Sequence, residues 1–173
     1  LLSTLDKNRM LQIISDAVKK ESDKILQANE TDIKNAVDLP EHMIDRLRLN
    51  KKRIAEIGEG IYQLIALDDP VGKVLASWVN HAGLQIMKVS VPLGVIGIIY
   101  EARPNVTCDV IALCIKTGNA VVLRGSKDAY LTNRAIVDVI CASLENAGYK
   151  SGFIQLIDDT TREGAEKFMR MDE

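Results

Sequence analysis

Aromatic residues make up only 4% of this 173-residue chain, and histidine and cysteine are scarcer still, at two and three residues. Each scarcity excludes something. Trp78 and the four tyrosines are too dispersed to build a stacking platform for nucleobases. Cys108, Cys114 and Cys141 are odd in number and form no Cys-x-x-Cys pair, so a disulfide framework is not expected; with only His42 and His81 beside them, neither is a zinc site. Reduced thiols follow. Long apolar runs are lacking too: the stretch from Val89 to Tyr100 is broken by Ser90, Pro92 and glycines and falls short of the roughly 20 residues a bilayer demands. Charge of one sign is also missing, since 22 basic residues against 24 acidic ones leave a net −2 spread along the chain. That excludes the basic footprint of a protein that grips nucleic acid through phosphates. No nucleic-acid or membrane partner is expected, and any anion site must be local. The opening Leu1-Leu2-Ser3-Thr4-Leu5-Asp6-Lys7 does not read as an export leader, so the expected compartment is the cytoplasm.

What is present suffices for a core, because 47% of the residues are hydrophobic and a chain near 150 residues buries about 70% of its unfolded surface. Residues 1–70 read as helices. Ser3, three residues before Asp6, resembles a capping box, and Leu11, Ile14, Val18 and Ile25 recur at helical spacing, so one amphipathic helix is expected to end near Asn29. Thr31 then caps a short turn, and Pro40 suits the first position of another that carries Met43, Ile44 and Leu47. Asn50 opens a longer helix with Ile54, Ile57, Ile61 and Leu64 on one stripe, although Gly58 and Gly60 each cost about 1 kcal/mol relative to alanine.

At residues 71–91 the period changes to two, and Asn80-His81-Ala82-Gly83 reads as the four-residue turn of a β-hairpin. Residues 92–173 alternate strand and helix. Leu93 to Tyr100 is apolar on both faces, as a strand covered by helices on either side would be, and buried strands follow at Ala120–Leu123 and Phe153–Ile157. Helices lie between them, and a last one, capped by Thr160 or Thr161, is expected to reach the chain end. The fold class is therefore α/β, with N-terminal helices, a hairpin and a doubly wound parallel sheet.

Ligands of such sheets bind beyond the carboxyl ends of the strands, where helix N-termini and unpaired N–H groups converge. Two segments qualify. In Tyr100-Glu101-Ala102-Arg103-Pro104-Asn105-Val106-Thr107, Asn105 either caps the following helix or points its amide into the cleft as a donor to a developing oxyanion, and Glu101 and Arg103 either pair with each other or serve a ligand. In Arg124-Gly125-Ser126-Lys127, two cations flank a glycine that admits a ligand to the backbone, an arrangement suited to a nucleotide phosphate or simply to a solvated loop. Neither Gly-x-Gly-x-x-Gly nor a Walker pattern is present there. Cys108 lies in the first turn of a helix, where the dipole favours a thiolate, but no histidine is adjacent in sequence, and core packing is the plainer reading for all three cysteines.

Val91-Pro92-Leu93-Gly94-Val95-Ile96-Gly97-Ile98-Ile99-Tyr100-Glu101-Ala102-Arg103-Pro104-Asn105-Val106-Thr107, together with Ala112-Leu113-Cys114-Ile115-Lys116-Thr117-Gly118-Asn119-Ala120-Val121-Val122-Leu123-Arg124-Gly125, closely resembles gamma-glutamyl phosphate reductase, also called glutamate-5-semialdehyde dehydrogenase. The resemblance extends to Ile44-Asp45-Arg46-Leu47, Asp69-Pro70-Val71-Gly72 and Met169-Arg170-Met171-Asp172. It implies an aldehyde dehydrogenase-like fold, of which this chain holds the N-terminal portion, with the hairpin as part of an oligomerisation arm and the last segment as half of a cofactor domain. It implies NADPH-dependent reduction of L-glutamyl 5-phosphate to the semialdehyde with release of phosphate, in proline biosynthesis, by a homo-oligomer; glutamate 5-kinase is the pathway's candidate partner. The chemistry is an acyl transfer to a cysteine thiolate, whose thioester then accepts hydride from NADP(H). By this resemblance Asn105 holds the oxyanion, and Arg103, Pro104, Arg124, Gly125, Ser126 and Lys127 bind the cofactor, so that Asn105 and Arg124 are expected to face one hollow. Ser126 replaces the family's usual second glycine, Cys108 stands where an aliphatic residue is usual, and none of the three cysteines matches the nucleophile. An isolated 173-residue chain is therefore expected to be inactive. The alternative is a non-catalytic nucleotide-binding or assembly module of the same fold.

Overall fold

The computed structural model describes residues 2–171. Its N-terminal helices are α1 (Thr4–Lys20), α2 (Ser22–Asn35), α3 (Glu41–Leu47) and α4 (Lys51–Ala66). Ser3 caps α1, its hydroxyl accepting from the Asp6 N–H at 3.1 Å and donating to the Asp6 carboxylate at 2.6 Å. The single helix expected to reach Asn29 is instead two. The backbone turns at Glu21, and α2 restarts at Ser22 and continues past Asn29. The reason is tertiary: α1 turns its apolar stripe chiefly to α4, whereas α2 packs against a later helix, so the two buried faces must diverge. Thr31 is not a cap; it lies inside α2 and donates to the Gln27 carbonyl. Pro40 precedes α3 as its cap residue, one position earlier than expected. Asn50 caps α4 by accepting from the Arg53 N–H at 2.8 Å.

Strands β1 (Val74–Val79) and β2 (Gln85–Val89) form the antiparallel hairpin. Its loop has three residues rather than four, because Asn80 N–H donates to the Leu84 carbonyl and Gly83, at φ 81°, takes the left-handed position that closes such a turn. The Asn80 side chain accepts from the Ala82 and Leu84 N–H groups.

The sheet consists of β3 (Val95–Ile99), β4 (Ala120–Arg124) and β5 (Ile154–Leu156), parallel and in that order. Helix α5 (Pro104–Lys116) follows β3, and a 3₁₀ turn (Lys127–Ala129) with α6 (Tyr130–Asn146) follows β4. Helix α7 (Arg162–Met169) follows β5 and stops at Met169 with Arg170 as its cap residue, so it does not run on through the described residues as expected; residues 172 and 173 lie outside them. In-register rows Ile96–Val121–Ile154 and Ile98–Leu123–Leu156 turn one face of the sheet to α5 and α6. Met10, Leu11 and Ile14 of α1 join Ile111 and Ile136 in the same buried cluster, so the N-terminal helices and the strand-helix units share one core. The other face departs from expectation. Val95 is 71% and Ile99 42% exposed, so β3 is not covered on both sides among the described residues. Both crossovers run the same way across the sheet and place their helices on one face, leaving α7 alone opposite, with Phe168 over Gly97.

Candidate functional site

The register that pairs Ile99 with Arg124 makes the loops after β3 and β4 leave the sheet side by side. Beyond them lies a hollow of about 770 Å³, lined by Ile99, Tyr100, Arg124, Ser126, Lys127 and Thr161 among others. It occupies the carboxyl edge of the strands. The Arg124 guanidinium is partly engaged there: Nη2 donates to the carbonyls of Thr160 at 2.6 Å and Thr161 at 2.8 Å, while its buried Nε has no partner among the described residues. This cation therefore staples β4 to the loop before α7. Ser126 opens the 3₁₀ turn, accepting from the Asp128 N–H and donating to the Asp128 carboxylate at 2.9 Å. Lys127 is exposed at the rim. Gly125 is buried, and a Cβ there would overlap the Asn133 amide and lie 3.3 Å from the Tyr100 ring, so internal packing requires the glycine rather than a ligand's approach.

The loop after β3 separates this hollow from a second one. Helix α5 begins at Pro104, whose fixed φ and missing N–H suit the first helical position, and Arg103 is the cap residue without a side-chain bond. Asn105 does not cap. Asn105 Nδ2 donates to Asp109 Oδ2 at 3.3 Å, one turn on, which leaves its second amide hydrogen unused. Burial pushes the Asp109 carboxyl above its ordinary value, against the opposing effect of the Asn105 bond. Glu101 does not pair with Arg103; its carboxylate lies 4.0 Å from Arg46 of α3. Asn105 and Arg103 line the second hollow, about 450 Å³ in volume, with residues of α3 and α4. The structure thus brings Arg124, Ser126 and Lys127 together in one hollow and places Arg103 and Asn105 in the other. Asn105 and Arg124 do not share a hollow, because the loop carrying Glu101 to Pro104 runs between them. Pro104 is buried and lines neither.

That loop is anchored by polar groups which sequence reasoning missed. The Tyr100 hydroxyl and Thr107 Oγ1 are 2.7 Å apart, and Thr107 donates to Asn133 Oδ1 at 2.9 Å in the closed interior. Burial pushes the Tyr100 phenol up to about 12 although the Thr107 bond opposes it, so Tyr100 stays neutral. Nothing local in the sequence pairs Thr107 with Asn133, 26 residues on. Arg46 was visible within Ile44-Asp45-Arg46-Leu47, but its approach to the loop after β3 is a tertiary fact. Cys108 is fully buried and Cys114 is 4% exposed, and burial raises both thiols, so neither is an activated nucleophile.

Comparison with known proteins gives this geometry a context. The chain is 48% identical over 171 residues, 99% of its length, to the gamma-glutamyl phosphate reductase of Ligilactobacillus salivarius. It is also similar to the gamma-glutamyl phosphate reductases of Heliobacterium modesticaldum, at 48% identity over 99% of this chain, and Listeria monocytogenes, at 51% over 98%. The chain spans about 41% of the length of the relatives it matches. The fold agrees with the crystal structure of the gamma-glutamyl phosphate reductase from Thermotoga maritima at TM-score 0.93 and 39% identity, over 98% of this chain and 42% of that one. A glyceraldehyde-3-phosphate dehydrogenase from Methanocaldococcus jannaschii, solved with NADP, shares the fold at TM-score 0.60 and 19% identity, over 90% of this chain and 32% of that one. No protein-family model matches. Among the described residues no helix is long and apolar enough to cross a membrane, and no three His, Cys, Asp or Glu side chains cluster as metal ligands.

Proposed function

We propose that this chain forms part of an NADPH-dependent gamma-glutamyl phosphate reductase, which converts L-glutamyl 5-phosphate to L-glutamate 5-semialdehyde with release of phosphate, in proline biosynthesis. The observation that carries the reading is the 48% identity to a curated reductase along 99% of the chain. The strand-end hollow supports the cofactor assignment: about 770 Å³ at the carboxyl edge, with Lys127 exposed at the rim, Ser126 beside it and Arg124 within the lining, suits one end of a nucleotide. NADPH bound there would supply the hydride. Arg124, Ser126 and Lys127 would hold its phosphate-bearing end. Asn105, with one amide hydrogen unspent among the described residues, would donate to an oxyanion at the acyl carbon.

The attacking thiolate is not among this chain's cysteines. Cys108 and Cys114 are sealed in the core, and Cys141, on α6, lines neither of the two hollows. We therefore propose that the 173-residue chain alone does not turn over. The cytoplasm, a homo-oligomer using the β1–β2 hairpin, and glutamate 5-kinase as the supplier of the acyl phosphate belong to the same proposal. A second reading, a non-catalytic module of this fold, is favoured by one observation, the engagement of Arg124 with the Thr160 and Thr161 carbonyls.

The test is NADPH oxidation dependent on L-glutamyl 5-phosphate, with the gene product read to its stop codon beside the 173-residue chain. Activity in the former and none in the latter is expected. Turnover by the short chain refutes the cysteine argument, and inactivity of both favours the module. Lys127→Gln should weaken NADPH more than NADH if the ammonium meets the 2′-phosphate; equal loss would refute that contact.

A further inference from the structure

The second hollow carries more charge than the loop around it needs. Arg46, Arg48, Arg53 and Arg103 all line it, beside Asn105 and three carboxylates, Asp45, Glu56 and Asp109; Asp45 is held by Arg53 at 3.2 Å and Glu56 lies 3.9 Å from Lys52. One of these cations is spent: Arg53 Nη1 donates to the carbonyls of Asp45 at 2.7 Å and Arg48 at 2.6 Å, and its Nη2 meets the Asp45 carboxylate at 3.2 Å. Arg46 reaches Glu101 only at 4.0 Å, with both side chains exposed. Arg48 and Arg103 have no side-chain hydrogen bond or ion pair among the described residues, although they come from elements more than 50 residues apart in sequence. Two guanidinium groups without a partner on the wall of one hollow are free to receive an anion. Their planar forks fit carboxylate and phosphate groups bidentately.

The inference rests on the reductase reading given above, and it names what that reading leaves open, namely how the acyl substrate is held. Glutamyl phosphate carries its phosphoryl group directly on the reacting acyl group. Its α-carbon, with a carboxylate and an ammonium, lies three carbon–carbon bonds away, about 4 Å when extended. If Asn105 serves the acyl oxygen, the charged ends of so short a substrate are expected in the hollow that Asn105 lines. The strand-end hollow lies on the other side of the loop that carries Glu101 to Pro104.

We propose that this hollow is the acyl-substrate subsite, in which Arg48 and Arg103 grip the anionic ends of a phosphorylated amino acid and Asp109 faces its ammonium group. The placement supplies both signs where the substrate requires them. Asp109 is one helical turn from Asn105 and already accepts its amide at 3.3 Å, so the carboxylate that orients the oxyanion donor also borders the ammonium site. Arg53, held by Asp45 and two carbonyls, is a positioning residue that fixes the α3–α4 connection on which Arg48 stands.

The experiment is calorimetric titration of the full-length protein, with NADP⁺ present, using L-glutamate and inorganic phosphate as probes of the two anionic ends, in wild type, Arg48→Gln, Arg103→Gln and the double variant. Both side chains are exposed, so melting temperatures should stay at the wild-type value and show that the fold is intact. At least a tenfold loss of affinity for glutamate or phosphate, with the NADPH dissociation constant within twofold, is expected, and the ligand lost identifies the end each guanidinium holds. Asp109→Asn should weaken L-glutamate but not glutarate, which lacks the ammonium. Unchanged glutamate and phosphate affinities in the double variant, or a wild-type protein that binds neither, overturn the subsite while NADPH binding leaves the reductase reading standing. A wild-type protein that binds no NADPH and reduces no glutamyl phosphate overturns the reading itself.

Discussion

Lys7 is 1% exposed, and at the scale of single residues it shows how a buried charge is accommodated. Its Nζ lies 2.9 Å and 3.0 Å from the two Asp69 oxygens, and the Val71 N–H at 3.0 Å and the Thr4 hydroxyl at 2.7 Å also donate to that carboxylate. Burial opposes ionisation of Asp69, but these donors outweigh it and hold its pKa at about 2. Because the folded value lies below the unfolded one, the stabilisation is complete above about pH 4 and is lost as pH falls toward about 2. Asp69→Asn should remove that acid-side loss from a plot of stability against pH and cost about 3 kcal/mol at neutral pH, since Lys7 is left buried without its counter-charge. A urea titration at several pH values reads both effects. Gly60 offers the opposite case. It lies on the exposed side of α4, and a methyl group placed on its α-carbon would meet nothing within 4 Å, so Gly60→Ala should stabilise by about 1 kcal/mol in the same titration. Its neighbour Gly58 is not equivalent, because the stem of Lys19 lies where its Cβ would be and its carbonyl accepts from Ser15 Oγ at 2.7 Å.

Among the elements, α7 is the one whose attachment decides the shape of the strand-end hollow. Three contacts hold it: Thr161 caps it by accepting from the Gly164 N–H at 3.0 Å, Arg124 binds the carbonyls just before it, and the Phe168 ring lies against Gly97 of β3. A Cβ at Gly97 would stand 2.7 Å from Phe168 Cζ, so Gly97→Val should lever the helix off the sheet. Amide exchange across Ala165–Arg170 should then rise while α5 and α6 stay protected; unchanged exchange in α7 would show that Phe168 does not carry the docking. The Thr161 cap was readable, because a threonine before a helix is a local signal. The role of Gly97 was not, since a glycine within a strand announces a close approach without naming what approaches.

For the whole molecule the uneven covering of the sheet is decisive. Leu93 is 87%, Val95 71% and Trp78 49% exposed, and together with Val79, Leu84 and Met87 they leave the open sheet face and the hairpin rich in apolar surface. Surface of this kind marks contact with other protein or a liability toward association. The folded 173-residue chain should therefore bind a hydrophobic dye such as ANS, and Leu93→Ser with Val95→Thr should reduce the signal without lowering the melting temperature. Absence of dye binding would mean that this surface is covered in solution.

Local chemistry sufficed for much of this. The caps at Ser3, Asn50 and Thr161, the hairpin about Asn80 and Gly83, and the alternation of apolar strands with helices after Pro92 all follow from interactions within a few residues of each other, and a linear pattern records those. The motif around Asn105 and Arg124 lies at the carboxyl edge of the strands, where the order of strands and helices along the chain puts it, for the same reason. Tertiary structure alone decided the break at Glu21, the covering of one sheet face rather than two, the commitment of Arg124 to the carbonyls of Thr160 and Thr161, and the division of one expected hollow into two. Each of these depends on groups tens of residues apart being pressed together by burial of a shared core. Periodicity shows which side of an element is apolar, but not which element will meet it.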